Sequence, residues 1–167
     1  GWDSALHLPI VEQPEDPASA TIPPGQPVIQ LSVFLENRVG ALLSIVRTIN
    51  DRHVEVVGLS VVDSMDVTIV RLILTDPEAI STVFMEKGIP FSETRLTVVQ
   101  LDQGAHHLSN CLAALLQGET NIHFSYPLLS RPNGKPALAL CLEDNDFATA
   151  VLRRSGFTLL FQDDLSR

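Results

Sequence analysis

The chain has 167 residues, 45% of them apolar, and a net charge of −9. That is enough apolar material for one or two packed domains, but too acidic a balance for a nucleic-acid surface, which needs clustered Lys and Arg. No apolar run is long enough to cross a membrane as a helix. No basic stretch followed by an apolar core opens the chain, so the cytoplasm is the expected compartment. The two cysteines, Cys111 and Cys141, sit in apolar frames and are expected to be free thiols in the core.

Residues 1–27 differ from all that follows. They hold six prolines, four carboxylates and no Lys or Arg. Proline removes backbone donors and disfavours both helix and central strand, so an extended N-terminal arm is expected. It is either a simple tail or a strap that lays Trp2, Leu6, Leu8, Ile10 and Val11 over the body.

The first unit is expected over 28–94. Leu31, Val33 and Leu35 alternate at strand period, and a polar loop ends at Gly40. Leu42, Ile45, Val46 and Ile49 then follow helical spacing. Val54 to Asp63 reads as a strand with Val57, Leu59 and Val61 in phase. Asp63-Ser64-Met65-Asp66 is a turn, and Val67 to Thr75 is the partner strand. Asp76 caps the next helix with Pro77 at its first position. Ile80, Val83 and Phe84 form its apolar stripe, and Gly88 closes it.

The second unit, 95–167, begins without a linker. Val99, Leu101, Leu108, Cys111, Leu112 and Leu115 repeat Val33, Leu35, Leu42, Ile45, Val46 and Ile49 at a constant offset of 66. Phe91 to Leu101 spans roughly 36 Å if extended, long enough to end one unit and open the next. A helix from about His106 to Gln117, a strand Asn121 to Ser130, a turn at 131–135 and a strand Ala137 to Glu143 follow. Asp144 caps a helix with stripe Phe147, Val151 and Leu152, Gly156 ends it, and Phe157 to Phe161 is the last strand. The order is βαββαβ twice, an α+β class with antiparallel sheets and helices on one face. The other face would carry Phe34, Ile69, Arg71, Ile73, Val98, Ala139 and Cys141. It is too apolar to be left in water, so another sheet or the arm should cover it, and a homodimer is expected.

Catalytic chemistry is not expected. There is no glycine-rich phosphate loop, no GxSxG and no Cys/His set at zinc spacing. His106 and His107 diverge by about 100° on a helix, although His106 could meet His123 or Asp102. Glu36 and Asp102 occupy matching places, but a carboxylate at a helix start commonly complements the dipole. The loop Glu36–Gly40 instead delivers the chain into a helix N-terminus, where free N–H groups welcome an anion.

The βαββαβ order and the loop Glu36-Asn37-Arg38-Val39-Gly40-Ala41-Leu42 resemble an ACT domain. That family enters its first helix through an acidic or Asn residue followed by Pro-Gly-x-Leu. Asp63–Asp66 with Ile69-Val70-Arg71-Leu72 is similar to its second hairpin. Asn121-Ile122 with Tyr126 resembles its Asn-Ile strand with a following aromatic. The resemblance covers about Val28 to Asp163 and is that of a stand-alone tandem ACT protein with ferredoxin-like folds. It implies ligand contacts at Asn37, Arg38, Val39, Gly40, Ala41 and Leu42, and at Asp102, Asn121, Ile122 and Tyr126, with no cofactor. Val39 stands where proline is usual, and His106 where the second loop usually has glycine. Glu55 stands where the second unit keeps Asn121. One asymmetric site, or two unequal ones, is therefore expected. The implied function is a non-catalytic amino-acid sensor acting through its oligomer or on a target enzyme. The alternatives are a regulatory subunit of a biosynthetic enzyme such as acetolactate synthase, or a metal sensor using His106, His107 and His123.

Overall fold

One strand serves both repeats. The computed structural model describes residues 25–36 and 40–166, and in it β4 (Phe91–Gln100) is a single uninterrupted strand. Its first half pairs with β1 (Val28–Glu36), from Val33 opposite Phe91 to Val28 opposite Leu96. Its second half pairs with β6 (Ala137–Leu142) and with the short β7 (Leu159–Leu160). On the far side of β1 lie β3 (Val67–Leu74) and then β2 (Val56–Asp63). On the far side of β6 lies β5 (Ile122–Pro127). The result is one antiparallel seven-stranded sheet, ordered β2-β3-β1-β4-β6-β5 with β7 beside β4.

Helices cover one face of each half. In the first repeat, α1 (Ala41–Asn50) and α2 (Pro77–Lys87) bury Ile45, Ile49, Ile80 and Phe84 against Leu31, Val33, Val70, Leu72 and Leu74. In the second, α3 (Ala105–Gln117) and α4 (Asn145–Arg154) bury Cys111, Leu115, Ala148 and Leu152 against Val99, Leu101, Leu140 and Leu142. The repeated frame explains both cores, since Ile45 and Ile49 answer to Cys111 and Leu115. The caps follow the sequence too. Asp76 accepts from the Ala79 N–H at 3.1 Å and Asp144 from the Phe147 N–H at 3.0 Å. Gly88 and Gly156 sit at φ 69° and 88°, where a side chain would be strained.

The helix-free faces curl onto each other within the one chain. Val28, Val57, Ile73, Leu96, Val98, Tyr126, Ala137 and Ala139 form a third core between the two half-sheets. The edges of β2 and β5 meet through a bridge from Gly58 to Leu128 and through the Leu129 N–H on the Val57 carbonyl at 2.8 Å. Gly58 also makes room for its ladder partner on β3, because a Cβ there would stand 3.0 Å from the Ile73 side chain. The Tyr126 hydroxyl donates to Gln30 Oε1 at 2.6 Å across the same interior, and burial pushes that phenol well above its ordinary pKa. Ile73, Val98 and Ala139 therefore need no second copy to cover them. All three are buried inside the monomer.

Other differences from the sequence reading have local causes. A bulge between Val56 and Gly58 breaks the phase of β2. It sends Val57 to the inner core and Leu59 to the helix face, and leaves Val61 47% exposed. On α4, Phe147 is 46% exposed and Ala148 takes the core position, since the N-cap at Asp144 sets the rotation. The last strand is only two residues long. A short helix, α5 (Gln162–Leu165), follows it and buries Leu165 in the inner core. The proposed arm contacts of Trp2, Leu6, Leu8, Ile10 and Val11 lie outside the described residues.

Candidate functional site

The first repeat opens a groove at the start of α1. Gly40, at φ 89°, is the N-cap and offers no side chain to the helix. The first intrahelical bond runs from the Ser44 N–H to the Gly40 carbonyl, so the N–H groups of Ala41, Leu42 and Leu43 have no partner within the helix. Space beside Gly40 is free: a Cβ there would meet nothing within 4 Å. The groove of about 290 Å³ is lined by Leu35, Glu36, Ala41, Leu42, Val61, Asp63 and Thr68. It thus faces a helix N-terminus with two carboxylates. Asp63 accepts one hydrogen bond, from the Thr68 hydroxyl at 2.8 Å. Among the described residues the Glu36 carboxylate has no hydrogen bond or ion pair. Asn37, Arg38 and Val39, the remaining expected contacts of this loop, lie outside the described residues.

The matching loop of the second repeat is occupied by its own groups. The N–H of Asp102 donates to His107 Nδ1 at 3.0 Å, and the His107 ring stacks on Phe157 at 4.5 Å. The Asp102 carboxylate accepts from Gln100 Nε2 at 2.7 Å and lies 3.4 Å from Lys135 Nζ. The hydrogen bond from Gln100, opposed by slight desolvation and aided by Lys135, holds its pKa below the ordinary value. Asn133 in turn donates to Gln100 at 3.1 Å. The glycine of this loop is Gly104, the N-cap of α3 at φ 63°, rather than the position of His106. Relative to the core frame, α3 starts two residues earlier than α1, and that shift moved the glycine out of the offset read from the sequence.

The other expected contacts are dispersed. Asn121 Nδ2 donates to Glu143 at 3.2 Å, Ile122 is partly exposed at the start of β5, and Tyr126 is buried on Gln30. None of Asp102, Asn121, Ile122 and Tyr126 lines the α1 groove. Sequence reasoning missed Asp63 and Thr68 as groove residues. Asp63 was visible only as a turn former, although the hairpin register that pairs it with Thr68 aims both at α1. Among the described residues no three His, Cys, Asp or Glu side chains come together as metal ligands, so nothing there supports the histidine-based metal sensor.

A family model described as an ACT domain pair matches residues 26–166. The chain belongs to the ACT domain pair family. Among solved structures, a protein from Bacteroides thetaiotaomicron superposes with TM-score 0.77 at 21% identity, covering 85% of this chain and 97% of that one. The regulatory subunit of aspartate kinase from Thermus thermophilus gives TM-score 0.52 at 12% identity, over 77% of this chain and 90% of its own. Its counterpart from Thermus flavus gives 0.50 at 14%, over 78% and 91%. At these identities the likeness is one of fold. No curated protein matches the chain. The ACT pair here has ferredoxin-like halves on a shared, curled sheet, and no described helix is long and apolar enough to cross a membrane.

Proposed function

We propose that this ACT pair is a non-catalytic regulatory protein of the cytoplasm that binds a small amino acid in the α1 groove. The repeats 28–94 and 95–167 act as unequal halves: the first binds, while the second loop braces the fold. The observation that carries this is the pairing of opposite requirements in one small space. Free N–H groups and the positive end of α1 suit a carboxylate, and Glu36 with Asp63 suits an ammonium group. Leu35, Leu42 and Val61 leave room for a modest apolar side chain.

The module exerts its effect through an oligomer or a target enzyme. Leu112, Leu116 and Phe147 are exposed on α3 and α4 and support a homodimer through the helix faces. Light scattering that shows a monomer at micromolar concentration would remove that part. The fold likeness to regulatory subunits of aspartate kinase supports a second reading, in which the target is an amino-acid biosynthetic enzyme held in a stable complex. Co-purification of a catalytic subunit distinguishes it.

A thermal-shift screen of the twenty amino acids tests ligand binding. A ligand at a hundred times Kd stabilises the folded state by about 2.7 kcal/mol, which moves the melting temperature by roughly 5–10 °C for a chain of this size. Asp63→Asn should lower affinity about tenfold by calorimetry, the loss of one charge-assisted bond. If no amino acid shifts the wild type, the groove is not an amino-acid site.

A further inference from the structure

The inner face of the first repeat carries a second, unassigned set of groups. Its strand register stacks three cross-strand rows. Deepest is Gln30–Ile73–Gly58, next is Ser32–Arg71–Ser60, and outermost is Phe34–Ile69–Val62. Arg71 is half-buried among apolar strands, with its guanidinium 3.8 Å above the Phe124 ring of β5. Among the described residues its guanidinium makes no hydrogen bond and no ion pair. Its ring contact uses only one face of the guanidinium, and no described residue offers the N–H edge an acceptor. The Ser60 hydroxyl has no partner among the described residues either. Ser32 accepts from Gln30 Nε2 at 3.0 Å and keeps its own proton to donate.

We propose that the row Ser32–Arg71–Ser60 is a binding site for a small monocarboxylate with a short branched apolar tail. The carboxylate would sit on the guanidinium edge beside the Ser60 hydroxyl, on the β2 side of Arg71. Burying a guanidinium without a counter-ion is costly, and a planar fork is the group that recognises a carboxylate in two contacts. The tail is set by the next row outward. Residues two apart on a strand are separated by about 6.8 Å, which an acid of about five carbons spans. It would reach Phe34, Ile69 and Val62, of which Phe34 and Val62 are exposed. An ammonium group finds no carboxylate paired to this row, so the site prefers a simple acid to an amino acid. It lies on the opposite face of the sheet from α1 and does not depend on the amino-acid groove.

Isovalerate is the probe, with isovaleramide as its uncharged counterpart, titrated by calorimetry and by backbone amide NMR. Isovalerate should bind the wild type in the millimolar range and shift the amides around Ser32, Ser60 and Arg71. The amide should bind at least tenfold more weakly. Arg71→Gln should lose the binding by tenfold or more. Should that variant not fold, Ser60→Ala should weaken isovalerate severalfold without altering the melting temperature. Cys141, the cross-strand partner of the Phe124 that carries Arg71, should be alkylated more slowly with isovalerate present. The proposal is overturned if the wild type shows no binding at tens of millimolar, if the acid and its amide bind alike, or if Arg71→Gln or the folded Ser60→Ala keeps full affinity. Shifts confined to Ala41–Leu43 would also overturn it, while supporting the α1 groove.

Discussion

Gly40 and Gly104 cap the first helices of the two repeats with no side-chain hydrogen bond, yet their surroundings differ. Beside Gly40 two carboxylates border an open groove. Beside Gly104 the polar groups are spent on one another, through Asp102, His107, Gln100, Asn133 and Lys135. A duplicated helix entrance can thus keep a glycine cap and lose its vacancy. The deciding residues are neighbours of the loop in space, and an exposed helix N-terminus becomes a usable site only where such neighbours leave room.

The strongest way to break the comparison is to place a side chain at each cap. Gly40→Val should reduce amino-acid affinity by more than tenfold, measured by calorimetry, because a branched side chain at φ 89° distorts the loop that presents the amides. Gly104→Val should leave affinity unchanged. Both should cost about 1–3 kcal/mol of stability, from forcing a branched residue into a left-handed backbone. Equal ligand effects from the two variants would show that the loops are functionally alike.

Next in size is His107→Ala. It removes the stack on Phe157 and the acceptor for the Asp102 N–H, and should destabilise by about 1–2 kcal/mol, seen as a fall of roughly 2–8 °C in melting temperature. If emptying this space also created a second ligand site, calorimetric stoichiometry would rise from one to two. We expect it to stay at one, since no carboxylate pair like Glu36 and Asp63 flanks α3.

The smallest effect is one of pH. The folded-state pKa of Asp102 lies below its ordinary 3.8, so its ionised form favours folding. That contribution is complete above the unfolded value and is lost as pH falls from about 3.8 through the folded value. The stability difference between wild type and Asp102→Asn should therefore be constant near neutrality and shrink below pH 3.8. A difference that grows in acid would reverse the assignment. Because the carboxylate is exposed, the effect is small and salt-sensitive.

The sequence made the helix-face cores legible, because burial on a helix or strand imposes a period and the period was written twice. Ile45 with Ile49 and Cys111 with Leu115 were in register without a gap. Caps were legible because Asp76, Asp144 and Gly88 act on their own neighbours. What was hidden is non-local. The bulge at Val56–Gly58 lies where β2 meets the chain just after β5, and the curl that buries Ile73 and Ala139 depends on strands far apart in the chain. The groove was half-legible. Gly40, Ala41 and Leu42 announced a helix entrance, while Asp63 and Thr68 reach it only through a hairpin register that no local pattern specifies. Tyr126, drawn in by resemblance, serves instead as a cross-interior tie to Gln30.

The short C-terminal helix has a consequence for how the molecule assembles. Gln162 donates to the Leu74 carbonyl and accepts from the Ile29 N–H across 88 and 133 positions of chain. Ser166 reaches the Thr75 carbonyl across 91, and the Gln162 N–H meets the Gln26 carbonyl. Contacts of such separation form late, because the loop must close before any of them is rewarded. The first repeat therefore completes these contacts only with the C-terminal segment in place. Its β1 terminus waits for a segment that follows the entire second repeat, so the two halves ripen as one cooperative unit. The contact of residues 26 and 162 also brings the two ends of the described chain together, so a linker from Ser166 to Gly25 could rejoin it and let it be opened elsewhere. A permutant opened at the exposed turn 64–66 should keep the fold but gain its first-repeat contacts in a different order.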